Sequence, residues 1–540
     1  MKRVLLCIMV LVFSTPCVAF GQRVRLANAG KAGLKVTSLD QVLRLSEEQI
    51  DLATATLIAS EYWSDMVAGR RYLDELDAMA TEILTRLRQQ RVPVDSRAIP
   101  IINQYLFEEL GFQTISHADD PNDLFLHSVM DRRQGYCLSL SILYLSIAER
   151  LGLEAYGVVV PGHFFVRYDG GHARFNIETT SNGASPPDEH YRGKFNVPEN
   201  NRNSIYMKNL NKRQSLGCFF NNLGNVYSEI GDVDTAMLAL ERAVAINPTL
   251  SESRANLGNT YLQKNRVNEA IRQYRAALDL NPGDPKTYNN LGNAYMAIDE
   301  LNAAASAYRQ AIQLDPNFVD AYRNMALLLT RQERYSQAMT QLNRALAIDG
   351  ENAQIYNQLG ELHYRLHEYD KGLQQFRKAM NLKPDSAEAH YGLGMCYGGL
   401  HQTDEEIQSY TQALILKPTM LAALVDLGTA YFNQGQYDLA IQYYRQATMT
   451  KPNDPRILFN LGSAYLKKQE WDLAVQAYLQ VVRMDSRTGD AYHALAYGFY
   501  MLGNYEQAWS HANTAKRLGT EIPEDLLKAI RSRLKQPAQG

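Results

Sequence analysis

Three side chains in this sequence are of the types that acyl transfer needs. Cys137 opens the apolar run CLSLSILYLSIAERLG directly behind the polar turn Gln134-Gly135-Tyr136. His163 follows 26 residues later at the head of HFFVRY, and Glu178 another 15 residues on. A thiol attacks as its thiolate, and the first-turn N–H groups and dipole of a helix favour that charge. Lowering a thiol pKa by two units requires about 2.7 kcal/mol, more than the roughly 0.3–1 kcal/mol that a helix end typically contributes. An imidazole partner closes the gap, and a carboxylate holds the imidazole in one tautomer.

These residues need a helix and a sheet to bring them together. The run after Cys137 places Leu140, Leu143, Tyr144, Ile147 and Leu151 on one helical face and stops at Gly152. AYGVVV, HFFVRY and ARFNIE are short β-branched or aromatic runs separated by Pro161-Gly162 and by Asp169-Gly170-Gly171-His172, the pattern of an antiparallel sheet. A hairpin closed symmetrically about Gly170-Gly171 sets His163 directly opposite Glu178, with Cβ atoms about 5 Å apart. A slip of one residue would turn Glu178 to the other face. Upstream, Ser46 and Gln49 form a capping-box pattern before DLATATLIASEYW, and two further helices are expected over 74–88 and 97–110, the last stopped by Gly111. Gln134 could polarise an oxyanion beside the Cys137 amide, but reads first as a polar turn residue.

The stretch GYCLSLSILYLSIAERLGLEAYGVVVPGHFFVRY, followed by FNIETT, resembles the transglutaminase-like fold, a relative of the papain-type cysteine proteases. Pro161-Gly162-His163-Phe164-Phe165-Val166-Arg167 and the helical region before it resemble the SirB1-like branch more narrowly, over about residues 38 to 215. The resemblance implies an α+β papain/transglutaminase-like domain over 36–200. Cys137 would be its nucleophile, His163 its general base and acid, and Glu178 its orienting carboxylate. The family's acid is usually aspartate, so Glu178 is one methylene longer and its hydrogen bond depends on a backbone offset.

From 217 to 522 the chain repeats with a period of 34: Leu223-Gly224, Leu257-Gly258, Leu291-Gly292, Met325-Ala326, Leu359-Gly360, Leu393-Gly394, Leu427-Gly428, Leu461-Gly462 and Leu495-Ala496. An alanine and a turn proline recur in the same register. These nine units resemble tetratricopeptide repeats, which stack helix pairs into an all-α superhelix because one pair cannot bury its own apolar face. A capping helix and tail are expected over 523–540 and a linker over 201–216. Gly372 and Glu406 replace the packed alanine of their units, and a carboxylate at 406 would be buried. The residue before each repeat leucine is Asn222, Asn256, Asn290, Asn324 and Asn460 in five units. An asparagine amide both donates and accepts, so such a row could clamp an extended peptide; asparagine is also common at this position of the repeat.

The rest of the sequence narrows the partners. A formal net charge of -3 without long runs of like charge gives no footprint for nucleic acid or an anionic membrane. Lys2 and Arg3, an apolar core from Val4 to Phe13, and Ala19 and Gly21 before Gln22 form the pattern of a signal peptide over 1–21. No integral span is expected after its removal, and the location would be periplasmic or secreted. Three cysteines remain, Cys137, Cys218 and Cys396, an odd number that leaves at least one free thiol. The sequence contains neither CxxC nor HExxH, and no metal or cofactor is expected. The expectation is an exported thiol acyl-transfer protein whose repeats bind protein or peptide; the alternative is a non-catalytic envelope scaffold with a degenerate N-terminal domain.

Overall fold

The computed structural model describes residues 36, 38–63, 69–197 and 204–534; the expected signal peptide at 1–21 lies outside them. The architecture is an α+β N-terminal domain followed by an all-α tetratricopeptide array. Two compact units divide after Leu314: the N-terminal domain with the first three helix pairs, and Asp315–Gly540 with the other six and the cap.

In the N-terminal domain the first long helix runs Leu52–Trp63. Its cap is Asp51, whose carboxylate accepts from the N–H groups of Ala53 (3.0 Å) and Thr54 (3.4 Å). This corrects the expected Ser46 cap: Gln49 does accept from the Ser46 N–H at 3.0 Å, but that pair closes a separate turn. A cap must stand directly before the first helical residue to reach its orphan N–H groups, and only Asp51 does. The next helix begins earlier than expected, spanning Gly69–Gln89. The expected helix over 97–110 is three pieces: a 3-10 turn Ser96–Ala98, an α-helix Ile99–Asn103 and a π-turn Gln104–Glu109, ended by Gly111 at φ +72°.

The thiol-bearing helix is Cys137–Leu151, closed by Gly152 in the left-handed conformation at φ 75°. Every residue from Cys137 to Ala148 is buried, not only the predicted face. The sheet covers one flank, and the helices Leu52–Trp63, Gly69–Gln89 and Leu126–Arg132 cover the other.

A short strand β1 (Gln113–Thr114) pairs in parallel with β2 (Gln134–Gly135), which fixes the turn ahead of Cys137. The main sheet is antiparallel in the order β3 (Ala155–Val160), β4 (His163–Asp169), β5 (Arg174–Ile177). Val160 pairs with His163 across a two-residue turn in which Gly162 (φ +72°) supplies the positive φ that follows proline in a type II turn. Between β4 and β5 the expected register is shifted by two residues: Asp169 pairs with Arg174 and Val166 with Ile177. A four-residue connection replaces the two-residue one. Its base is closed by an Asp169–Arg174 ion pair at 2.7 Å, and the Gly170 N–H donates to the Ala173 carbonyl at 3.2 Å. An even shift keeps Glu178 on the face of His163.

Within the span expected as a linker, residues 204–211 line the free edge of β3. The Met207 N–H donates to the Val159 carbonyl (3.1 Å) and the Leu210 N–H to that of Gly157 (2.8 Å). The first repeat helix then starts at Lys212. Its Phe219 and Phe220 are fully buried against Phe125 and Trp63, so this helix shares the core of the N-terminal domain.

The described residues form nine helix pairs, from Lys212–Glu229 to Tyr505–Arg517, and the capping helix Glu524–Leu534. The repeat glycines make room for an aromatic ring: a Cβ on Gly258 would lie 2.6 Å from Tyr274, and one on Gly292 2.4 Å from Tyr308. The two substituted alanine positions are each matched by a partner. Cys396 fills the space at Gly372, its Sγ 2.7 Å from where a Cβ would stand. The Glu406 carboxylate lies over Gly398, whose missing side chain admits it, and burial raises its pKa. No helix among the described residues is long and apolar enough to cross a membrane.

Candidate active site

Cys137 is the first residue of its helix. The Ser139 hydroxyl accepts from the Tyr136 N–H (2.9 Å) and donates to the Asp123 carbonyl (2.9 Å), which pins the entry into the helix. First-turn N–H groups have no intrahelical partner and point toward the ligand side of the helix end.

The structure brings Cys137, His163 and Glu178 together. His163 lies at the start of β4 with Nε2 2.8 Å from Glu178 Oε2, and it lines the same cleft as Cys137. With Nε2 committed to the carboxylate, Nδ1 is the nitrogen left for the thiol. The shifted register makes Glu178 a diagonal neighbour of His163 rather than a facing one. Diagonal pairs stand about 7–8 Å apart and suit longer side chains, which accounts for glutamate in place of aspartate.

Both charged states are held in place. Burial opposes charge on His163, but the hydrogen bonds and charges of Cys137 and Glu178 outweigh it and raise its pKa to about 9. Burial would likewise raise the Glu178 pKa, yet His163 and Thr180 bring it below the usual carboxylate range. Glu178 Oε1 accepts from the Thr180 N–H (3.1 Å) and hydroxyl (2.5 Å), and Oε2 accepts from the Tyr191 hydroxyl (3.0 Å).

Several site residues escaped the sequence reading. Phe195 stacks on the His163 ring at 4.8 Å with planes 2° apart, and Tyr191 lies beside the pair, 6.3 Å from each ring. The helix Asp188–Lys194 that carries Tyr191 is tied down by Arg167, a side chain only 1% exposed. Arg167 donates to Asn176 Oδ1 (2.8 Å), the Met207 carbonyl (2.8 Å) and Asp188 Oδ1 (2.6 Å). The signal available for it was an arginine inside an otherwise apolar strand. Tyr136, the residue between Gly135 and the cysteine, also lines the cleft, and burial and the neighbouring thiol push the pKa of its phenol up to about 12.

Cys137 opens into a cleft of about 160 Å³. One side is formed by Tyr136, Cys137 and His163, the other by Asn222, Asn225 and Asn256 of the first two repeats. A larger cavity of about 520 Å³ lies elsewhere, between Glu47, Glu149 and Lys212, and holds neither thiol nor imidazole. Gln134 is exposed and outside the cleft lining, as a turn residue would be. Among the described residues no cluster of His, Cys, Asp and Glu is arranged to hold a metal ion.

The row of repeat asparagines is half-buried throughout, at Asn222, Asn256, Asn290, Asn324 and Asn460, with the last two in the second unit. Asn256 Nδ2 donates to Asn221 Oδ1 (3.1 Å) and Asn290 Nδ2 to Asn259 Oδ1 (2.9 Å), so both are partly engaged within the repeats. Cys218 and Cys396 are buried free thiols whose pKa values burial raises, that of Cys396 to about 12.

Residues 70–216 match the transglutaminase-like superfamily, and residues 428–469 and 457–492 match tetratricopeptide repeat families. Residues 218–420 match the C-terminal domain of cilia and flagella-associated protein 70. The chain thus carries a transglutaminase-like domain followed by tetratricopeptide repeats. A UPF0162 protein of Xylella fastidiosa is 29% identical over 213 residues, 37% of this chain and 73% of that protein. F-box only protein 21 of Pongo abelii is 35% identical over 79 residues, 14% of this chain and 13% of that protein. The solved structure of Pseudomonas aeruginosa pilF covers 37% of this chain and 92% of its own at 21% identity and a TM-score of 0.34, a likeness too low to add to the repeat assignment.

Proposed function

We propose that the chain is an exported thiol acyltransferase whose repeats bind its protein partners. The observation that carries this reading is the grouping of Cys137, His163 and Glu178, with the His163–Glu178 bond at 2.8 Å and the thiol at a helix N-terminus lining the same cleft as His163. The raised pKa of His163 favours an imidazolium at neutral pH, a proton donor for the departing amine.

In the reaction, Cys137 Sγ adds to an amide carbonyl carbon, forming a C–S bond as the C=O electrons move to oxygen. The first-turn N–H groups of the Cys137 helix would stabilise that oxyanion. The intermediate collapses with cleavage of the C–N bond, and His163 gives its proton to the departing amine. A water or an amine then attacks the thioester while passing a proton to His163, and the C–S bond breaks to return the thiolate. Water as acceptor makes the protein a peptidase or amidase; an amine makes it a cross-linker.

Labelling with iodoacetamide, followed by mass spectrometry to separate Cys137 from Cys218, tests the reading. Cys137 is expected to react rapidly near pH 6, and His163→Ala to slow that reaction roughly tenfold or more. Slow labelling indifferent to His163 would leave the scaffold reading in its place. The same spectra test export, which rests on the residue pattern at 1–21. Mature protein recovered outside the cytoplasm should begin at Gln22, and recovery of the unprocessed chain in the cytoplasm would refute it.

A further inference from the structure

We propose that the first repeat is part of the substrate site: the side-chain amides of Asn222 and Asn225 hold the main chain of an extended polypeptide acyl donor across the thiol. The proposal rests on the acyl-transfer reading above and adds to it a substrate class and two binding residues.

The repeat frame itself exposes Asn225. Three residues after the asparagine row, a short polar side chain recurs and is bonded by a tyrosine fifteen residues further on. Tyr274 donates to Asn259 (2.7 Å) and Tyr308 to Asn293 (2.8 Å). Tyr444 pairs with Thr429 (3.0 Å) and Tyr478 with Ser463 (2.9 Å). The first repeat keeps the polar residue, Asn225, but has Leu240 where the tyrosine belongs. Among the described residues neither Asn225 nor Asn222 makes a side-chain hydrogen bond, while Asn256 and Asn290 each donate to a neighbouring asparagine. A half-buried carboxamide that loses its internal partner costs stability unless something else pairs with it.

Asn222 and Asn225 stand three residues apart on one helix face, and both line the cleft that holds Cys137 and His163. A carboxamide offers a donor and an acceptor, the complement of a peptide group, so two of them on one face can engage an extended main chain whatever its side chains. The thiol cleft, at about 160 Å³, is smaller than the roughly 300–1,000 Å³ of small-molecule sites. It does not end there. Asn225 and Asn256 also line a second cavity of about 250 Å³ that continues along the repeats past Ser228 and Asn259. Two small cavities that share Asn225 and Asn256 fit a chain laid along the helices better than a compact ligand.

Two alkylating reagents separate main-chain binding from thiol reactivity in the full-length protein. Iodoacetamide presents no peptide chain, whereas acetyl-trialanyl chloromethyl ketone presents one to the same sulfur. The quantity read is the ratio of the peptidyl rate to the iodoacetamide rate at Cys137. Losing two hydrogen bonds in Asn222→Ala/Asn225→Ala is expected to lower that ratio roughly tenfold. Leu240→Tyr gives Asn225 the internal partner its counterparts have and is expected to lower the ratio in the same direction. It should fold: a Cβ on Gly224 would lie 2.5 Å from Leu240, as one on Gly258 would lie 2.6 Å from Tyr274, so the same glycine gap is present for the ring. An unchanged ratio in either folded variant overturns the proposal. Slow iodoacetamide labelling of the wild type, indifferent to His163, overturns the acyl-transfer reading instead and is measured without any asparagine variant.

Discussion

The first repeat and the repeats of the second unit use one 34-residue frame to opposite ends. In the second unit three departures from the pattern are answered within the array: Cys396 fills the gap at Gly372, Gly398 admits Glu406, and the Tyr391 hydroxyl donates to Asp426 at 2.7 Å. In the first repeat, Leu240 removes a hydrogen-bond donor and nothing in the described structure replaces it. Polar groups closed by internal partners support the array. Those left open here face a nucleophile, which separates a binding surface from ordinary repeat packing more sharply than the asparagine row does.

The largest expected effect would break the comparison on the thiol side. Arg167→Ala leaves Asp188 and Asn176 without their buried partner, a change that typically costs about 3–5 kcal/mol. Calorimetry should show the transition of the first unit moved to lower temperature and that of the second unit unmoved. A common shift of both would mean that the two unfold as one. A smaller effect sharpens the other side. Gly372→Ala would drive a Cβ to 2.7 Å from the Cys396 sulfur, an overpacking worth about 1–3 kcal/mol. Adding Cys396→Ala should recover part of that loss, and urea denaturation of the two single variants and the double variant measures the coupling. Additive losses would show that the two positions do not compensate each other.

Much of the organisation was legible in the chain because it rests on local pattern. The helix start at Cys137, the strands around Pro161-Gly162 and the period of 34 all follow from spacing of apolar, glycine and proline residues. The hairpin register was not, since Gly170-Gly171 allows a two-residue closure as readily as the four-residue one observed, whose base carries the Asp169–Arg174 ion pair. The shift was even, so His163 and Glu178 still met, and the longer glutamate spans the diagonal. Tyr191 and Phe195 could not be placed at the site because a separate helix and its end carry their contacts to Glu178 and His163; Arg167 stood out as an arginine in an apolar strand, but its partners on that helix and on the strand-edge segment are set only by the fold. Asn225 was overlooked for a different reason: its place is unusual only when compared with tyrosines fifteen residues along in other units.

The proposed chemistry requires a charged His163 beside Cys137. Its folded pKa is raised above an unfolded value of about 6.5. The stabilisation from its charge is therefore fully present below that value and is lost as pH rises through about 9. Nitrogen-15 NMR of histidine-labelled protein reads this charge at the ring. The prediction is that His163 remains doubly protonated through neutral pH, titrates near pH 9, and shifts to a lower midpoint in Cys137→Ala. A midpoint at or below about 6.5, unmoved by Cys137→Ala, would contradict the ion pair and with it the proposed chemistry.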